Sequence, residues 1–157
     1  ANGHDLECGR GVAVLILSLV ICSCSPFAYG QAATRSNRPL RDGWHVRQLE
    51  SDRPDIAALT AQVAKPDKTW MPATMPAQIH DILLTAGKIP DPRVGRNAAK
   101  SAWVGEKDWA YACTFASPDG TGPVFLRFGG LDTIVAAYIN EQLVGRFKNM
   151  NRRHAAL

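Results

Sequence analysis

From residue 41 onward, apolar and polar positions first mix strand-like and helix-like spacing and then settle into strict alternation. Residues 41–49 place Trp44, Val46 and Gln48 on one side, which predicts an opening strand. Ile56, Leu59 and Val63 recur at helical spacing within 54–64 and predict a short helix that Lys65-Pro66-Asp67 stops. Pro72 and Pro76 keep residues 70–76 extended and bar them from the middle of a sheet. Next, Pro76 in a first turn, a face of Ile79, Ile82, Leu83 and Ala86, and Gly87 as a stop predict an amphipathic helix of about ten residues. Ile89-Pro90-Asp91-Pro92 must be irregular, because a residue before proline is pushed out of the helical region.

From Asp108 the period is two. Trp109, Tyr111, Cys113 and Phe115 share a face, residues 117–123 form a turn cluster, and Val124, Leu126 and Phe128 line another strand. Residues 133–139 are apolar on both faces and predict a covered, central strand. Asn140-Glu141-Gln142 turns the chain into a return strand from Leu143 to Phe147, although a tight hairpin favours Asn-Gly. The chain stops at Leu157 inside what reads as one more strand. The expectation is a mainly β, antiparallel sandwich over residues 41–157, incomplete at the C-terminus, with one or two short helices.

Upstream the pattern is different. Val12 to Ile21 is apolar apart from Ser18, and Cys22, Ser23, Cys24, Ser25 and then Ala28-Tyr29-Gly30 follow it. An apolar core of roughly 7–15 residues before a small-x-small site has the layout of a secretory leader, so residues 1–30 read as one, cut after Gly30. A second route is open. Ile21-Cys22-Ser23-Cys24 resembles a bacterial lipoprotein signal, with Cys24 as the lipidated residue and acyl chains as the membrane tether. Asp5 and Glu7 stand where basic residues are usual, and a short buried helix is the plain alternative. Residues 31–40 read as a polar linker, and the expectation is an exported protein, periplasmic or extracellular. No apolar run reaches the roughly 20 residues of a membrane-spanning helix.

Composition narrows the chemistry. The 157 residues are 46% hydrophobic and 20% charged, the balance of a folding chain and not a disordered one. A net charge of +4 demands no polyanionic partner. Arg146, Lys148, Arg152 and Arg153 are interleaved only with Phe147, too few aromatics for a nucleic-acid surface. Cys8 and Cys22, and Cys24 if cut, leave with the leader, so Cys113 remains as a buried small hydrophobe. His4, His45, His80 and His154 lack metal-ligand spacing, and we predict no metal and no cofactor. Glu106 and Asp108 would share a face if both lay on one strand, yet beside Lys107 they read as surface or interdomain ion-pair partners. Trp103, in a loop rich in small and charged residues from Ala98 to Gly105, is the tryptophan best placed to face a ligand, whereas Trp44, Trp70 and Trp109 read as packing anchors.

Three blocks carry a family likeness. They are residues 70–84 (WMPATMPAQIHDILL); Ile89-Pro90-Asp91-Pro92 with residues 103–111 (WVGEKDWAY) and Thr114-Phe115; and Phe128-Gly129-Gly130-Leu131-Asp132-Thr133 with Tyr138-Ile139-Asn140, Asn149-Met150 and Arg152-Arg153. In order and at matching spacing, they resemble the N-terminal sugar-binding-type domain of β-mannosidases in glycoside hydrolase family 2. The resemblance implies a galactose-binding-like jelly roll packed, in the longer protein, against an immunoglobulin-like domain and a (β/α)8 barrel. The barrel would carry the two glutamates that cleave a terminal β-mannoside with retention. It implies a carbohydrate partner for the longer protein and no catalytic residue in this chain; beside it, the residues' own setting leaves Trp103, and Glu106 in the full enzyme, as the candidate substrate-side residues. The alternative is a stand-alone carbohydrate-binding or interaction module without hydrolytic activity.

Overall fold

A computed structural model describes residues 12–20, 37–118 and 122–156. In chain order the elements are β1 (Val12–Val20), β2 (Trp44–Gln48), α1 (Ile56–Val63), β3 (Met71–Ala73), α2 (Ile79–Thr85), α3 (Asn97–Lys100), a 3-10 helix (Ala102–Glu106), β4 (Trp109–Ala116), β5 (Leu126–Phe128), β6 (Ile134–Ile139), β7 (Gln142–Lys148) and β8 (His154–Ala156). Six strands form one sheet in the order β3-β2-β4-β1-β6-β7, and β5 pairs with β8 in a second. Apart from β1, every pairing is antiparallel, and neither sheet closes into a barrel. This is an incomplete jelly-roll sandwich with a few short helices.

Alternation along β4 builds both sides of the large sheet. Trp109 and Cys113 are buried on one side, with Val46 and Trp44 of β2 in the same two clusters. Ala110 and Ala112 are fully buried on the other side. Their small side chains leave room for Leu59 and Val63 of α1 and for Ile16 of β1, all in one cluster. Asp55 starts α1 by accepting the Ala58 amide at 3.1 Å, the usual service of an aspartate cap. Gln62 near its end accepts from Arg47 at 2.7 Å and from the Trp70 indole at 3.3 Å, tying α1 to β2.

β3 lies at the outer edge of the sheet, where a proline costs no ladder bond on the open side. Its Pro72 pairs with His45. α2 is shorter than its spacing predicts, Ile79–Thr85, and buries Ile82 and Leu83. Gly87 follows at φ +67, a left-handed stop that glycine adopts without strain. The stretch expected to be a loop winds instead into α3 and the 3-10 helix. Ala98, Ala99 and Lys100 are good helix formers, and the Ser101 amide bonds back to the Asn97 carbonyl at 3.0 Å.

β6 is central, as its two apolar faces predict, with Val135 and Ala137 buried. Asn140 (φ 46) and Glu141 (φ 70) form a tight turn with both central residues left-handed. That geometry matches the twist of the flanking strands, but it puts a glutamate where glycine is unstrained. Glu141→Gly should therefore raise stability by about 1 kcal/mol, read as a higher urea midpoint at unchanged slope.

The small sheet is fastened to the large one by rings. Phe147 of β7 lies 5.4 Å from Phe128 of β5 and 4.8 Å from His154 of β8, centroid to centroid. Gly145 makes room for it: a Cβ there would sit 2.5 Å from the Phe147 ring.

The apolar run that reads as a leader core is placed as β1, neither helical nor outside the sheet. Both processing points, Cys24 and Gly30, lie outside the described residues, as do Cys8, Cys22, residues 31–36 of the linker and residues 119–121 of the turn cluster.

Candidate functional site

Trp103 and Glu106 sit on the 3-10 helix, and their support comes from below. Val104, between them, points inward and is 1% exposed. Its carbonyl accepts the Trp109 indole N–H at 3.1 Å, which anchors the helix to the start of β4. Trp103 is half-buried. Its ring lies 6.3 Å from that of Trp109 with the planes tilted by 39°, and it packs on the cluster that includes Met71, Ile82, Leu83 and Ile89. It is packed on this cluster and remains partly exposed. Glu106 is exposed at the end of the same helix.

The structure thus places Trp103 and Glu106 on one short 3-10 turn. It does not place Glu106 and Asp108 on one strand: Glu106 closes the 3-10 helix, and Asp108 precedes β4, its carbonyl accepting the Leu49 amide at 2.8 Å. Their i, i+2 relation therefore carries no shared-face geometry. The approach to this turn is ordered by Asp91. It accepts the Arg93 amide and Nε, both at 3.0 Å, while its backbone carbonyl accepts the Asn97 side-chain amide at 3.1 Å. The Arg93 guanidinium and its backbone amide hold the Asp91 carboxyl below the usual carboxylate range.

A second concave surface was not legible from the chain. An open depression of about 600 Å3 is lined by Arg127, Phe128, Gly129, Arg153, His154 and Ala155. The β5–β8 register brings these residues together by setting Phe128 opposite His154 and Arg127 opposite Ala155. Two guanidinium groups beside an aromatic ring suit a ligand rich in oxygen acceptors. The signal in the sequence is a basic residue followed by a ring at two places, Arg127-Phe128 on β5 and Arg153-His154 at the start of β8, and their meeting depends on a pairing of residues far apart in the chain.

Cys113 behaves as a core residue. It is 1% exposed, and burial pushes its thiol up to about 12, from 9.0 for an exposed thiol. Burial, with Asp132 adding to it, likewise raises the Tyr111 hydroxyl from 10.0 to about 12. Both groups stay protonated in the fold at a pH where the unfolded chain has begun to ionise. Stability is therefore intact below about pH 9 and is lost as pH climbs toward 12. Urea unfolding followed from about pH 8 to about pH 10.5 should show that fall, and Cys113→Ala should flatten it.

Among the described residues, no helix is long and apolar enough to cross a membrane.

Comparison with known proteins adds a family to this geometry. The family described as glycosyl hydrolase 2 galactose-binding domain-like matches residues 44–156, from β2 through β8. Beta-mannosidase B of Thermothelomyces thermophilus is 32% identical over 120 residues, 74% of this chain and 12% of that protein. Beta-mannosidase B of Aspergillus terreus is 34% identical over 118 residues, with 73% and 12% covered. The protein of the same name from Aspergillus clavatus is 29% identical over 119 residues, with 74% and 12% covered. The chain thus spans about an eighth of the length of these curated relatives, 12% in each case.

Proposed function

The chain belongs to the glycosyl hydrolase 2 galactose-binding domain-like family, and on that premise we propose that it is the non-catalytic sandwich domain of an exported, β-mannosidase-like glycoside hydrolase. In this reading the domain braces a catalytic barrel and walls one side of its pocket. The observation that carries the proposal is the unbroken family match over every element from β2 to β8, supported by fungal relatives that are all beta-mannosidases B.

The turn described above supplies the wall. A half-buried tryptophan whose ring is backed by Trp109 can stack on the C–H face of a sugar without first losing rotamer freedom. Glu106, three residues on, can accept hydrogen bonds from sugar hydroxyls at the rim. Neither residue performs the cleavage. Retaining hydrolysis needs two carboxyl groups about 5–5.5 Å apart across the scissile bond, and that pair is assigned to the barrel.

The test uses the protein encoded by the complete reading frame that contains these residues, assayed for release from an aryl β-mannoside. Trp103→Ala should raise KM about tenfold, the loss of one stacked ring, with a smaller change in kcat. An unchanged KM removes Trp103 from the wall. Turnover by residues 1–157 alone would relocate the chemistry into this domain, and failure to cleave the mannoside while an aryl β-galactoside or β-glucuronide is cleaved would replace the substrate. Sugar binding by this chain with no hydrolysis from the full protein would favour the stand-alone module. Export is read from intact mass: a mature chain beginning at Gln31 supports the soluble route, and one beginning at an acylated Cys24 supports the tethered route.

A further inference from the structure

The small sheet has an outer face that the sandwich core does not use. Leu126 and Phe128 of β5 and His154 of β8 are half-buried and Ala156 is buried, whereas Arg127 and Ala155 are exposed. Alternation turns Leu126 and Phe128 toward the large sheet, where both pack on the cluster of Trp44, Cys113, Val135 and Ala137. It turns Arg127 outward, opposite Ala155. Arg153 comes two residues before Ala155 and shares that outward face. It lies diagonal to Arg127, at the roughly 7–8 Å separation that long side chains still span.

The positions facing the two arginines are small. Ala155 stands opposite Arg127, and Gly129, one step past the last ladder pair, continues the register opposite Arg153. A Cβ on Gly129 would meet nothing within 4 Å. Two long cationic side chains therefore stand at opposite corners of a floor made by an alanine and a glycine, and the depression of about 600 Å3 opens between them. That volume is in the range of sites for small organic molecules. No acidic residue lines it. Among the described residues neither guanidinium is ion-paired, whereas Arg93 is taken by Asp91. A guanidinium is a planar fork that matches a carboxylate, and two forks at this spacing can hold one carboxylate between them or two on one ligand.

We propose that Arg127 and Arg153 form a carboxylate-binding cleft whose ligand is an acidic saccharide, one that bears uronate groups. The carboxylate is read from the guanidinium pair, and the saccharide rests on the carbohydrate reading above. A sugar ring lies on the Gly129 and Ala155 floor, and the arginines distinguish a charged ring from a neutral one. The cleft binds and does not cleave.

The test is binding, measured by calorimetry in about 0.1 M salt, where exposed charges more than about 10 Å away are screened. It uses the protein encoded by the complete reading frame and needs no hydrolysis. Trigalacturonate should bind at least about tenfold more tightly than its fully methyl-esterified form, which keeps the rings and removes the charge. Arg127→Gln and Arg153→Gln should each weaken trigalacturonate at least about tenfold. Gly129→Val fills the floor, leaves both charges in place and should weaken it as well. Arg146 alternates with the inward Phe147 and so stands on the outer face of the large sheet, away from the cleft. Arg146→Gln removes the same charge there and should change the affinity by less than about twofold. Equal binding of acid and ester, equal losses from Arg146→Gln and Arg127→Gln, or no binding at all would overturn the cleft. Citrate competing as well as trigalacturonate would overturn the saccharide half. Failure of the mannoside assay beside the expected binding would strike the enzyme reading alone.

Discussion

Replacing Trp109 with alanine should lower the unfolding free energy by about 3–5 kcal/mol, the cost of emptying an aromatic site in a packed core. Trp109 is 6% exposed, and it shares one cluster with Val46, Met71, Ile82, Leu83, Ile89 and Val104. Its indole also satisfies the Val104 carbonyl at 3.1 Å, in a buried position where an unpaired acceptor adds its own penalty. Against a total of about 5–15 kcal/mol for an ordinary domain, the loss leaves little margin. Trp109→Phe keeps most of the packing and gives up the hydrogen bond, so it should cost about 1–2 kcal/mol. Urea titrations of the two variants separate these contributions. A loss below 1 kcal/mol for the alanine variant would show that β4 does not organise this cluster. The alanine variant should also release the Trp103 ring, so its effect on sugar contact would follow from stability and not from touching the ligand.

Phe147→Ala should cost about 2–3 kcal/mol, roughly half to two-thirds of a fully buried phenylalanine because this ring is only half covered. The readout that identifies its role is local. Phe147 is the ring shared by Phe128 and His154, the register partners on the two strands of the small sheet. A two-stranded ribbon has marginal stability by itself. Amides of residues 126–128 and 154–156 should therefore lose exchange protection first, while those of β2 and β4 keep theirs. Uniform loss across both sheets would mean that the ring supports the core generally and does not fasten one sheet to the other.

Much of the fold is legible along the chain. Where one residue type decides, the reading is direct. Trp44 and Val46 alternate into the core, Pro72 confines its strand to an edge, Gly87 ends a helix, and residues 134–139 form an inner strand with Val135 and Ala137 buried on one face and the other face partly covered. Short helical turns were missed because the residues around Trp103 carry no apolar period long enough to show one; Asn97–Lys100 is a single turn. The apolar run at 12–20 is ambiguous for a physical reason. A leader core and a strand in the interior of a sheet make the same demand, an uninterrupted apolar segment of this length. Trp103 and Glu106 are three residues apart and share one 3-10 helix, a local arrangement, whereas the Arg127 and Arg153 depression follows from a β5–β8 pairing that spans nearly thirty residues. Local signals decide elements; long-range register decides which elements share a surface.

Pro72 has a consequence for solubility. The outermost strand β3 is three residues long and carries at its centre a residue without an amide hydrogen, so a foreign strand finds an interrupted docking rail there. At the opposite border, β7 bears Arg146 and Lys148 and takes a register irregularity near Ala137. Fibril growth by lateral stacking of identical sheets is obstructed at both flanks, and Pro72→Thr should open the first of them to polymerisation at high concentration.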